Sequence, residues 1–234
     1  PAAAPAAAAA NPEIIGYWSG IEDEDNRVAT SDLIISRMQI EISQRGAMID
    51  TTIEAVLSNR SQNRDAPVEA RFGLGLPGQA VVTGYALDIG GIMVAGTLLD
   101  QPKARRVYEN EVRKGIDPGL AEISGNMFRT RVYPIAPQGA RTIRVSFSAP
   151  ANAQDGFMLP LQGARIAGPV TIRYSGSMIR GEPKIALPWG STLAVQRAGE
   201  WWKGEATSQA STSLTGPLRV AGFEQQAGGA VGDD

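Results

Sequence analysis

The stretch Met38–Leu57, MQIEISQRGAMIDTTIEAVL, decides how the rest of the chain is read. Met38, Ile40 and Ile42 alternate with polar neighbours, and after Arg45-Gly46 the alternation resumes at Ile49, Thr51, Ile53, Ala55 and Leu57. A period of two places every second side chain on one face of an extended strand, and a glycine between two such runs supplies a tight turn. The stretch therefore predicts two antiparallel strands with one face buried. Working outward, the same pattern recurs at Val68, Ala70, Phe72 and Leu74. It recurs again at Val81, Thr83, Tyr85, Leu87 and Ile89, with Gly90-Gly91 as a two-residue hairpin signal before Ile92 and Val94. Phe128, Thr130 and Val132, and then Ile143, Val145 and Phe147, repeat it once more. The fold class is mainly β.

One passage breaks the pattern. Residues 100–115 read DQPKARRVYENEVRKG. Asp100 suits an N-cap, Pro102 falls in the first turn, and Arg113 and Lys114 precede a stopping Gly115. Ala104, Tyr108 and Val112 make a four-residue stripe, which predicts one helix over about 101–114 that docks through Tyr108. Asp117-Pro118-Gly119 repeats the cap-plus-proline signal and predicts a short further turn carrying Leu120 and Ile123.

Phe72, Leu76-Pro77, Gly84-Tyr85, Gly96, Ala104, Tyr108-Glu109, Gly115, Phe128 and Arg131-Val132 follow an order and spacing that resembles the vault protein inter-alpha-trypsin (VIT) domain. The resemblance covers roughly Leu33 to Pro150. It implies an antiparallel β-sandwich with one inserted helix, in which Phe72, Pro77, Gly84, Gly96, Ala104, Tyr108, Gly115 and Phe128 are the structural signature. It also implies a secreted or cell-surface setting, a von Willebrand A domain as neighbour, and no catalytic role. The covalent glycosaminoglycan linkage of inter-alpha-trypsin heavy chains is not carried over, because Asp234 lacks the sequence context of their terminal aspartate.

Four segments follow. Residues 1–12, almost all Ala and Pro, read as a disordered linker. Residues 13–150 form the VIT domain, 151–223 a β-rich continuation or second small sandwich, and 224–234 a small polar linker. In the third segment Val170, Ile172 and Tyr174, Ile185 and Leu187, and Leu218 and Val220 mark short strands.

Composition narrows the function. The chain has 234 residues, a formal net charge of -2, and neither cysteine nor histidine. Thiol nucleophiles, imidazole bases and the commonest zinc ligands are therefore missing from its side chains. No serine sits in a nucleophile-elbow pattern, and Lys103, Lys114, Lys184 and Lys203 lie in polar surroundings that would not depress an amine pKa. The scattered, acid-interleaved arginines give no polyanion footprint, so no nucleic-acid partner is expected. Gly73-Leu-Gly-Leu-Pro-Gly78 has the glycine spacing of a dinucleotide loop, but a strand pattern follows where a helix N-terminus is needed. Glu22–Asn26 lacks the glycine and distal glutamate of an EF-hand calcium loop. Asp50–Glu54 lacks the last hydroxyl of the metal motif of a von Willebrand A domain. Asn59-Arg60-Ser61 spells an N-glycosylation site.

No catalytic, cofactor-binding or metal residue is assigned, no cofactor is expected, and no apolar run is long enough to span a membrane. Adjacent Trp201 and Trp202 on a strand must point to opposite faces. With Trp189 they form the candidate ligand or partner surface. The expected function is a non-enzymatic, extracytoplasmic protein-interaction or scaffold module of a bacterial cell envelope, presenting a neighbouring von Willebrand A domain. The alternative is a carbohydrate-binding β-sandwich.

Overall fold

The computed structural model describes residues 13–18, 32–62, 67–100, 120–151, 156–161, 166–222 and 224–225. The helix expected at 101–114, with Ala104, Tyr108 and Gly115, lies outside the described residues. So do residues 1–12, Glu22–Asn26 and the tail from Gln226 onward.

Every regular element among the described residues is a strand. In chain order these are β1 (Glu13–Trp18), β2 (Leu33–Arg45), β3 (Met48–Asn59), β4 (Val68–Gly75), β5 (Val81–Ile89), β6 (Ile92–Ala95), β7 (Thr97–Asp100), β8 (Leu120–Ser124), β9 (Met127–Ile135) and β10 (Ala140–Pro150). They continue with β11 (Phe157–Leu159), β12 (Val170–Ser177), β13 (Ile179–Arg180), β14 (Lys184–Ala186), β15 (Thr192–Leu193), β16 (Gln196–Ala198), β17 (Trp201–Thr207), β18 (Leu218–Ala221) and β19 (Glu224–Gln225).

An eight-stranded sheet in the order β16-β17-β12-β2-β3-β10-β5-β6 is the largest assembly, and a five-stranded sheet runs β1-β4-β9-β8-β7. A four-stranded sheet, β11-β18-β14-β15, and the pair β13-β19 complete the described part. The long hairpin sits at the centre of the large sheet. Met38, Ile40, Ile42, Ile49, Ile53, Ala55 and Leu57 are all buried, as their period of two requires. Gly46 turns the chain at φ +57°, and Gly90 and Gly91, both with positive φ, close β5 on β6. Phe72 and Leu74 of β4 and Phe128 and Val132 of β9 line the facing side of the five-stranded sheet and share one buried cluster with the hairpin. Tyr85 joins the two sheets: its ring lies 5.5 Å from that of Phe128, and its hydroxyl accepts a hydrogen bond from Thr130 at 2.7 Å.

The chain after Pro150 is woven into the same structure. β12 pairs in parallel with β2 from Val170↔Met38 to Ser177↔Arg45 and antiparallel with β17 on its other side, so it is an interior strand of the large sheet. Phe157, Leu159, Ile185, Leu193, Leu218 and Val220 belong to the same buried cluster as the hairpin.

Four expectations are corrected. The antiparallel pattern is interrupted by two parallel ladders, β2 with β12 and β7 with β8. A parallel pairing needs a long crossover, and period-two patterning is silent about which distant strand lies alongside. The short turn predicted at Leu120 and Ile123 is β8, which pairs with β7 and β9. Asp-Pro-Gly signals a turn as readily as a helix start, and sheet pairing overrides local preference. Along β5, Val81 and Thr83 do not share the buried face of Tyr85 and Leu87. A register shift opposite Ser146 and Phe147 changes the parity, leaving Val81 65% exposed. Glu224 and Gln225, expected to open a linker, pair with β13.

Candidate interaction surface

The outer face of the large sheet is built from the residues between the buried ones. Register aligns them in rows that cross the strands. One row runs Glu205, Arg173, Glu41, Thr52 and Ser146, and the next runs Lys203, Ser175, Ser43, Asp50 and Ser148. Directly opposed side chains on one face lie close enough to pair. Thr52 and Ser146 share a hydrogen bond at 3.0 Å, Ser148 donates to Asp50, and Arg144 contacts Glu54 at 2.8 Å. Arg173 spans two strands, 3.0 Å from Glu205 and 3.5 Å from Glu41. Hydrogen bonding to Glu205 foremost, then to Glu41, holds its guanidinium pKa above the ordinary value. An open groove of about 770 Å³ crosses β3, β2, β12 and β17 over these rows. Its charged side chains are Glu41, Asp50 and Glu205 against Arg173 and Lys203, so the floor is close to charge-balanced and rich in hydroxyls.

Beneath the groove the floor is fixed by a buried polar chain. Tyr174, on the inner face of β12, donates to Gln44 Oε1 at 2.6 Å, and Gln44 Nε2 donates to the Gly46 carbonyl at 2.9 Å. Burial pushes the Tyr174 phenol above its ordinary pKa, so it stays a donor. Gly176 leaves room for that ring: a Cβ there would sit 2.2 Å from the Tyr174 hydroxyl.

The three tryptophans do not form one surface. Trp201 shares the groove face with Lys203 and Glu205, two and four residues on, and is 42% exposed. Trp202 points the other way and packs against the core, with the Arg197 guanidinium 5.9 Å from its ring centroid. Trp189 lies in the turn between β14 and β15, where Gly190 N donates to the Leu187 carbonyl, and also packs against the core. Strand parity separates the first two, and the third is held by its turn.

The signature residues are placed as follows. Phe72 and Phe128 are buried. Pro77 begins the turn whose carbonyl accepts from Ala80 N at 3.2 Å, and Gly84 faces Ser146 across the β5–β10 ladder. Gly96 N donates to the Tyr85 carbonyl at 2.9 Å. The glycines from Gly73 to Gly78 end β4 and lead through a turn into β5, with no helix between.

Asn59 is 1% exposed and its side chain is engaged: Nδ2 donates to the Ile135 carbonyl at 3.2 Å and Oδ1 accepts from Ser61 N at 3.0 Å. In this conformation the sequon presents no amide for modification. Arg129 and Arg131 lie on β9 in the five-stranded sheet, while Arg141 and Arg144 lie on β10 in the eight-stranded one. The short connection from Ile135 to Ala140 therefore crosses between sheets and is not a hairpin. The groove residues escaped sequence reading because β2 and β12 are more than a hundred residues apart; the only trace was the polar half of each alternation.

A scan of family models matches residues 35–147 to the vault protein inter-alpha-trypsin domain. Inter-alpha-trypsin inhibitor heavy chain H4 of Bos taurus is 25% identical over 117 residues, 47% of this chain and 13% of that protein. This chain thus corresponds to a small part of that relative. Among solved structures, an M1 zinc metallopeptidase from Deinococcus radiodurans superposes with a TM-score of 0.45 at 9% identity, over 81% of this chain and 42% of that one. A protein described as a putative protease from Parabacteroides distasonis gives 0.41 at 11% identity, over 81% and 40%. At those scores neither likeness carries an argument about this chain. Phe72 and Phe128, both buried, lie within the matched residues. Residues 35–147 of this chain, just under half of its length, match the vault protein inter-alpha-trypsin domain family.

Proposed function

We propose that this chain is a non-catalytic, extracytoplasmic protein-interaction module whose two larger sheets pack as a sandwich and whose outer face presents a neighbouring von Willebrand A domain. The observation that carries this reading is the groove floor: charge-balanced, hydroxyl-rich and underpinned by the Tyr174-Gln44 bond, it is a preorganised polar surface suited to another polar protein face. The domain-family match supports the interaction role. The test is amide exchange on β12 and β17 in this chain alone and in a longer protein that includes the residues after Asp234. Slower exchange of the Arg173 and Lys203 amides in the longer protein is expected. Identical exchange across the whole sheet, or an unrelated domain after Asp234, overturns the scaffold role.

A second reading, carbohydrate binding, rests on Trp201, exposed on the groove face where a sugar ring could stack beside acid and hydroxyl partners. Titrating Trp fluorescence with a glycan panel separates the two. A saturable change abolished by Trp201→Ala favours the sugar; a flat response favours the protein partner.

A further inference from the structure

The eight-stranded sheet has two edges, and they are built differently. β16, at one end, reads Gln196-Arg197-Ala198 and carries a charge, a common way of discouraging edge-to-edge pairing. β6, at the other, reads Ile92-Met93-Val94-Ala95 and has neither charge nor proline. Three of the eight large hydrophobic residues exposed among the described residues cluster where β5 pairs with β6: Ile89, Ile92 and Val94, at 46, 69 and 43%. Isolated exposed apolar side chains are ordinary, but a cluster beside an unpaired strand edge marks an interaction site.

Register defines what the edge offers. Leu87 opposes Val94 and Ile89 opposes Ile92, so Ile89, Ile92 and Val94 lie on the face to which buried Leu87 belongs. The apolar inner face of the sheet thus continues past the covered core. Gly96 N donates to the Tyr85 carbonyl. Antiparallel ladders alternate hydrogen-bonded and non-hydrogen-bonded pairs, so Leu87/Val94 and Ile89/Ile92 are the bonded ones. The N–H and C=O of Met93 and Ala95 are then directed away from β5, toward an edge that is unpaired among the described residues.

We propose that β6 pairs antiparallel with β6 of a second copy of this chain, about a two-fold axis at Met93. The edge is self-complementary in that register. Met93 meets Met93 of the second copy as a bonded pair, using the groups that point outward. Ile92 falls opposite Val94 of the second copy, and Val94 opposite its Ile92, on the same apolar face. Two β-branched pairs then cover one another, and the two large sheets become one continuous sheet. A contact of four residues per copy is small, so the dimer is weak and reversible.

Sedimentation velocity from low-micromolar to near-millimolar chain should show a concentration-dependent monomer–dimer equilibrium. Val94→Lys, which puts a charge into the apolar pair, should weaken it about tenfold or more. Met93→Pro removes an outward donor that β5 does not use and should act similarly. Circular dichroism and melting temperature of both variants should match the parent. The wild-type chain supplies a readout independent of any variant: Met93 amide exchange should slow as concentration rises while that of Val94, bonded to β5, stays constant. A monomer at every concentration overturns the proposal, and so does a dimer that both folded variants leave intact, or a Met93 amide indifferent to concentration.

Discussion

The two faces of the eight-stranded sheet come from the same strands, residue by residue, yet are held by different forces. On the inner face Phe147, Ile53 and Ile40 have at most 1% exposure, and their contribution comes from removing apolar area from water and filling space. On the outer face Arg173, Glu41 and Glu205 pair in contact with solvent, where hydration offsets most of the attraction. Stability therefore resides on one face, and the other can change its residues without unfolding the sheet. That division makes the outer face available for recognition.

Substitutions can break or sharpen this contrast. Phe147→Ala should cost about 3–5 kcal/mol, read from a denaturant midpoint, because it removes a fully buried ring and leaves a cavity. A loss as small as that of its outer-face neighbour Ser146→Ala would erase the distinction.

Tyr174→Phe strands Gln44 Oε1 in the core and should cost about 1–3 kcal/mol near neutral pH. This phenol's pKa is raised in the folded state, so its contribution is complete below the unfolded value of about 10 and is lost as pH climbs above it. Stability of the parent should fall between about pH 10 and 12 more steeply than that of the Phe variant. Parallel pH curves would show that Tyr174 ionises as readily folded as unfolded.

Thr51 sharpens the contrast from the other side. It is 1% exposed on the inner face, and its hydroxyl has no hydrogen-bond partner among the described residues. Thr51→Val keeps the shape and removes an unsatisfied polar atom, so it should stabilise by about 1 kcal/mol. A melting temperature below that of the parent would reveal a partner for that hydroxyl.

The smallest effect is expected of Arg173→Ala, which should leave the unfolding midpoint where it is. A cost as large as that of Tyr174→Phe would make the outer face structural, contrary to the division drawn here.

Much of the inner face was legible in advance because burial imposes a period of two: Met38, Ile40, Ile42, Ile49, Ile53, Ala55 and Leu57 are all buried where alternation puts them. Gly46 and the Gly90-Gly91 pair marked turns for a steric reason that acts within a few residues. What escaped depends on neighbours remote in sequence. The bulge that turns Val81 outward is set by Ser146 and Phe147, and the β2–β12 ladder by a close approach at Gly168, where a Cβ would lie 1.6 Å from the Ser36 carbonyl oxygen. The groove has the same origin, since Arg173 meets Glu41 only through that ladder. Trp201 and Trp202 were separable by parity, but Trp189 was held by a turn that alternation does not describe.

The parallel ladder has a consequence for what counts as one piece of this molecule. The match to the family model ends at Phe147, whereas the strand beside β2 begins at Val170. A fragment cut after Pro150 would turn β2 from an interior strand into a bare rim, with Met38 to Arg45 stripped of the backbone bonds they share with β12. Such a fragment should clump where the longer chain stays dispersed, and the longer chain should melt in a single step. The length of chain that is inherited as a module and the length that folds as one are then different.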